Sequence, residues 1–310
     1  MRFDVMMPGT NHIPGMYPWA HELTAPDYRR ILQVIDRGRF HAVLVSEHLA
    51  MPNFEVPRLG PYWHDALTTM SFAAGITERV RLDSCLLVLP YHHPLRFSKA
   101  IGTLDALSGG RVSLTVGVGH AEGEFEALGV DFAARGRITD EALDALLELW
   151  TAEHPVHEGE FFRVSGLAVE PKPFPRPPIA VGGNSRPVLR RAARWDGWQP
   201  NPMGTTLADL PAMVHYISDH RGAEARERPF EVNWLAGPAR TDLPGGFRGA
   251  DAGALRTFRE RLIESYREDY PAHGVSRTAV PRPAAIASTE EFVAYLEWFD
   301  AEVIEAVGAD

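Results

Sequence analysis

The sequence predicts an α/β fold of the (β/α)8 TIM barrel type, and three observations carry that expectation. Short apolar runs rich in Val, Leu and Ile alternate with longer amphipathic stretches along the whole chain. Runs and stretches each number roughly eight, the count of a closed parallel barrel. No G-x-G-x-x-G turn follows the first run, where Met7-Pro8-Gly9-Thr10-Asn11 stands instead, which argues against a doubly wound dinucleotide-binding sheet. Barrels routinely reach this length as one domain, and composition does not shift along the 310 residues, so a single domain over 1–310 is expected.

The clearest unit lies in residues 80–119. Val80 to Leu89 and Val112 to Val118 read as parallel strands buried on both faces, because apolar residues hardly alternate with polar ones. Between them Leu95, Ile101, Leu104 and Leu107 recur at helical spacing, and Ser108-Gly109-Gly110 ends the helix.

The same rhythm runs through the chain. Arg2 to Met7 is a strand, and Ala25-Pro26-Asp27 opens a helix whose apolar face is Tyr28, Ile31, Leu32 and Ile35. Ala42 to Ser46 is a second strand, followed by a long loop to Trp63 suited to a lid, and then a helix from His64 to Ile76. After Gly119 comes a Gly-interrupted loop with a short helical turn, then an amphipathic helix from Arg135 to Trp150. Residues 154–178, rich in proline, read as a hairpin and extended excursion inserted between helix four and strand five. Residues 179–185 form a strand entering a Gly-Gly turn, and Pro187 to Arg194 is helical. Strands at Asp196 to Pro200, Phe230 to Leu235 and Val275 to Val280 follow, with helices at Leu207 to His220, Ala252 to Tyr270 and Thr289 to Val307.

Apolar residues make up 45% and charged residues 23% of the chain, enough to bury a sizeable core. A formal charge of −10 with no basic cluster excludes nucleic acid as the expected partner. No run approaches the ~18 apolar residues of a membrane span, and the N-terminus lacks a signal-peptide pattern, so a soluble cytoplasmic protein is expected. The lone Cys85 rules out an intrachain disulfide.

A barrel of this type places its active site at the C-terminal ends of the strands. There the sequence delivers Asn11 and His12, Glu47 and His48, Ser84, Cys85, Tyr91, His92 and His93, then Gly119, His120 and Glu122. Gly182, Gly183, Asn184 and Ser185 follow, then Trp198, Gln199 and Asn201. The Gly182-Gly183-Asn184-Ser185 turn opens a helix and reads as an anion site, the alternative being a tight connection capped by Asn184 or Ser185. His48, leaving a buried strand beside Glu47, is the candidate for proton exchange near neutral pH. Glu47 either contacts a bound ring or orients the histidine, and Glu122 is a candidate proton partner. His12, Tyr62, Trp63, His64, Trp198 and Asn201 are candidates for the substrate pocket. No histidine has a partner at ligand spacing, so no metal is expected, and no G-x-S-x-G elbow supports a serine hydrolase. Cys85, inside an apolar run, is expected to pack rather than to act as a nucleophile.

Three blocks carry a resemblance: LVLPYHHPLRFSKAIGTLDALSGGRVSLTVGVG, then EFEALGVDFAARGR with DEAL and LW, then PPIAVGGNS with LRRAARWDGWQP. Together, from about Arg2 to Asn201, they resemble the bacterial-luciferase-like oxidoreductases, and most closely the branch using the deazaflavin coenzyme F420. The resemblance implies a (β/α)8 barrel, a homodimer, a flavin or deazaflavin ring over the mouth and its phosphate at Gly182-Gly183. It also implies a non-prolyl cis peptide backing the ring at Ser84-Cys85, ring contacts and acid or base chemistry from Glu47 and His48, and a glutamate at Glu122. Pro52 stands where sugar-phosphate dehydrogenases of the branch carry Trp, and His120-Ala121 where Gly-Trp is common. The expected activity is F420-dependent hydride transfer to or from a small organic substrate. The alternatives are an FMN-dependent monooxygenase and a non-catalytic flavin-binding accessory protein.

Overall fold

A computed structural model describes residues 1–236, 246–283 and 286–308. The strands β1 (Arg2–Met6), β2 (Ala42–Val45), β3 (Arg81–Ser84), β4 (Leu87–Val88) and β5 (Leu114–Gly117) come first. A hairpin of β6 (His157–Glu158) and β7 (Arg163–Val164) precedes β8 (Ile179–Gly182), β9 (Gly197–Gln199), β10 (Glu231–Trp234) and β11 (Arg277–Ala279). All strands but the hairpin pair in parallel, in the order β3-β2-β1-β11-β10-β9-β8-β5-β4. Since β3 and β4 are two halves of one interrupted strand, this order is a barrel almost closed on itself. The Leu82–Val112 bridge spans the remaining seam.

The interruption is a correction to the sequence reading. Val80 to Leu89 is not one strand: the chain turns at a non-prolyl cis peptide between Cys85 and Leu86, one residue beyond the expected Ser84-Cys85 pair. β3 bonds to β2, whereas β4 bonds to β5, so the break is where the strand changes neighbours.

Local signals explain the helices. α1 (Ala25–Arg37) starts with a capping box between Thr24 and Asp27, with Pro26 in the first turn, and ends at Gly38. It buries Ile31, Leu32, Val34 and Ile35. A one-turn helix, α2 (Val56–Leu59), sits in the loop after β2, and α3 (Ala66–Ala74) is capped by Asp65, which accepts from the Thr68 amide. α4 (Pro94–Ser108) begins with proline and ends at Gly109 in the left-handed region (φ 71°), where a side chain would be strained. α5 (Glu122–Leu128), α6 (Arg135–Thr151), α7 (Arg186–Ala192) and α8 (Leu210–His220) follow. Helices Ala252–Glu264 and Thr289–Phe299 each run on through a wider π turn.

The inserted excursion packs Val164 and Val169 against Leu149 of α6. Gly102 in mid-helix α4 is what lets it lie close, since a Cβ there would meet the Pro171 carbonyl at 2.1 Å.

Inside the barrel the strands are charged, which their apolar composition does not announce. Arg277 of β11 donates to Asp4 of β1 at 2.8 Å and to Asp83 of β3 at 2.9 Å, all of them buried. Burial pushes the Asp4 carboxyl up to about 7 against the pull of Arg277. The ion triad crosses the barrel and ties three strands together. Outside, Phe3 of β1 meets the edges of Tyr266 and Phe299, at 4.9 and 5.5 Å between centroids.

Candidate active site

At the C-terminal mouth lies a cavity of about 420 Å³, walled by His48, Trp63, His120, Gln199 and Asn201 among others. Its floor is Leu86, the residue after the cis bond. A Cβ on Gly117 would come within 2.7 Å of the Leu86 side chain, and one on Gly182 within 2.4 Å. The glycines that end β5 and β8 therefore make room for one leucine at the barrel axis.

Two histidine–carboxylate pairs stand beside this cavity. His48 Nδ1 lies 2.9 Å from Glu124 Oε2. Glu124 also accepts from the Leu49 amide at 2.6 Å, the Ala50 amide at 3.1 Å and the Tyr91 hydroxyl at 2.9 Å. Burial opposes ionisation of Glu124, but hydrogen bonding to His48 and the Ala50 and Leu49 amides outweighs it and holds the carboxyl below its ordinary value. An ionised Glu124 can only accept, so Nδ1–H donates to it and in the neutral ring Nε2 carries the lone pair. Among the described residues Nε2 has no hydrogen-bond partner. In the second pair, Glu47 accepts from the Val88 amide at 2.7 Å and meets His92 Nε2 at 2.9 Å. Glu47 thus braces β4 against β2, with His92 completing its coordination.

The ring of His48 is boxed edge-on by Trp63, 4.6 Å away, and by His120, 5.4 Å away. Burial, followed by the charge of His48, lowers the His120 imidazole below its ordinary value. Trp63 is placed by a short antiparallel ladder between the loops after β1 and β2. His12 N donates to Tyr62 O, His64 N donates to Thr10 O, and Asn11 bridges Trp63.

Several expected residues have other positions. Glu122 is exposed in the first turn of α5, and the buried carboxylate is Glu124. Ser84 is buried and exchanges hydrogen bonds with the Thr115 backbone, because its side chain points along the seam that β3 shares with β5. Trp198 is fully buried and donates its indole N–H to the Gly183 carbonyl at 2.7 Å, a packing role beneath the turn. His12, Tyr62 and His64 lie outside the mouth cavity. His12 is stacked between His21 and Tyr62 at 4.1 and 3.7 Å, and the Tyr62 hydroxyl bonds His64 Nε2. Asn184 spends its side chain on Asn201 and Thr205, and Gly183 N donates to the Gln199 carbonyl. Of the Gly-Gly turn, only the Asn184 and Ser185 N–H groups are without partners among the described residues.

Cys85, Gly119, Gly182, Gly183, Trp63 and Asn201 do line the mouth, with Glu47 and His48. Burial pushes the Cys85 thiol up to about 12, so it is a neutral wall group. Leu86 and Glu124 are the site residues that sequence reasoning missed. The signal for Glu124 was helix phase: Glu122 and Glu126, four apart, share the exposed face of α5, which turns Glu124 inward beside Phe125. Among the described residues no group of three or more His, Cys, Asp or Glu side chains is placed to hold a metal ion.

Comparisons with known proteins bear on the fold and the family. The chain is 31% identical over 273 residues to an uncharacterized protein of Mycobacterium tuberculosis, covering 78% of this chain and 93% of that one. It is 29% identical over 213 residues to an FMNH2-dependent dimethylsulfone monooxygenase of Pseudomonas putida, covering 67% of this chain and 57% of that one. Its fold is similar to that of an F420-dependent secondary alcohol dehydrogenase in complex with an F420-acetone adduct, with a TM-score of 0.73, 16% identity and 99% of each chain covered. The luciferase-like monooxygenase family model matches residues 1–238, and the chain belongs to that family.

Proposed function

We propose that the protein is an F420-dependent oxidoreductase that moves a hydride between the deazaflavin and a small alcohol or carbonyl compound, with His48 exchanging the accompanying proton. The observation that carries this reading is the anchored imidazole. Glu124 fixes His48 through Nδ1 and leaves Nε2 with its lone pair at the cavity. Removing a hydride from an alcohol carbon requires a base for the hydroxyl proton, and the reverse reaction requires an acid. His48 supplies both, and the ionised Glu124 stabilises the imidazolium in between.

The cavity fits the cofactor on its own terms. Leu86 gives a flat ring an apolar floor, and the missing Cβ atoms of Gly117 and Gly182 leave the room that its side chain occupies. The unpartnered N–H groups of Asn184 and Ser185 suit a phosphate. When bound, the deazaflavin accepts or donates the hydride at its C5. Glu47 stiffens the wall behind the ring rather than meeting substrate, since both its oxygens are bonded to His92 and Val88. A homodimer in the cytoplasm belongs to the same reading.

A second reading, an FMN-dependent monooxygenase, is favoured by the dimethylsulfone monooxygenase relative. Calorimetric titration with oxidised F420 and with FMN separates the two. Tight F420 binding is expected; tight FMN binding without any for F420 would overturn the first reading.

A further inference from the structure

Beside the mouth lies a second cavity, of about 530 Å³, between α1 and α3. It is open on one side, where Ala25, Asp65, Thr68 and Phe72 on its rim are exposed, and apolar at its base. A well-formed apolar cavity with a few polar groups is the usual form of a small-molecule site. Its walls are Leu32, Val43, Val45 and Ala73, with the rings of Tyr28 and Phe72. Polar capacity is slight. The Tyr28 hydroxyl has no hydrogen-bond partner among the described residues, whereas His64 Nε2 is bonded to the Tyr62 hydroxyl, the Thr69 hydroxyl donates to the Asp65 carbonyl, and the Asp65 carboxylate caps α3.

Trp63 joins this cavity to the mouth. It lines both, and its ring meets His48 edge-on at 4.6 Å. The indole N–H is held by the Gly60 carbonyl, so the ring stands as a partition between the two spaces.

Resting on the hydride-transfer reading, we propose that this cavity receives the apolar chain or ring of the substrate while the reacting carbon lies beside His48. The substrate class is then an uncharged alcohol or ketone carrying a hydrophobic group, and the Trp63 ring sets the path between the two compartments. An anionic tail is disfavoured, because the carboxylate in the lining, Asp65, repels it.

Straight-chain primary alcohols from butanol to decanol are titrated into the full-length protein by calorimetry, and their F420-coupled oxidation is followed in parallel. Each added methylene is expected to tighten binding and raise kcat/KM about fourfold until the cavity is full. Ala73→Phe and Thr69→Leu, which fill the cavity, are expected to flatten both series while leaving F420 affinity unchanged; the second variant serves if the first does not fold. A chain-length dependence that is absent in the native protein, or that persists in the filled variants, overturns the proposal. Graded binding without oxidation of any alcohol by native protein refutes the hydride-transfer reading and with it the cavity's role toward substrate. Graded oxidation that the filled variants retain refutes the cavity's role alone.

Discussion

His48 and Glu124, separated by 76 residues of sequence, meet at 2.9 Å between Nδ1 and Oε2, and the same carboxylate gathers the Leu49 and Ala50 amides. One side chain from α5 thus fixes both the imidazole at the end of β2 and the backbone that follows it. The acidity of Glu124 and the placement of His48 are consequently one property.

That property has a pH signature. With a folded value below the ordinary 4.5, Glu124 contributes stability that is complete above that value and lost as pH falls through the folded one. Urea unfolding across the acid range is expected to show a shallower loss of stability in Glu124→Gln than in the native protein. Equal slopes would mean that the carboxylate is not coupled to folding.

The charged barrel interior gives a stability prediction. Arg277→Met leaves Asp4 and Asp83 buried without their counter-charge, a loss of about 3–5 kcal/mol by chemical denaturation. The difference between native and variant is expected to shrink at low pH, where the two carboxyls protonate. A loss below about 1 kcal/mol, the range of an exposed pair, would contradict a buried triad.

The floor of the mouth can be tested by displacement. An added methyl at Gly182 would come within 2.4 Å of Leu86, so Gly182→Ala is expected to push that side chain into the cavity. Cofactor affinity should fall at least tenfold, or about 1.4 kcal/mol. The double variant Gly182→Ala with Leu86→Ala should recover most of it. Unchanged affinity in the single variant would remove Leu86 from beneath the ring.

Much of the fold was legible because parallel strands covered on both faces leave near-continuous apolar runs, as in Ala42 to Val45 and Ile179 to Gly182. The break in the third strand was not legible. Ser84 to Val88 is uniformly strand-like in composition, and only the exchange of neighbours between β2 and β5 shows where it turns. Asp4 and Arg277 were equally silent, since their pairing joins the two ends of the chain. Within the site, Glu47 and His48 followed from their place after β2. Glu124 did not, because the segment from Glu122 to Glu126 offers three carboxylates at alternate positions and only the phase of α5 selects one.

The most direct measurement is the single-turnover rate of hydride transfer in Glu124→Gln against Glu122→Gln, with cofactor affinity measured alongside. Loss of the Glu124 carboxylate is expected to slow transfer about 10²–10³-fold with a displaced pH profile, while Glu122→Gln stays within about twofold of native and both bind cofactor normally. A slow Glu122→Gln beside a near-native Glu124→Gln would contradict the account.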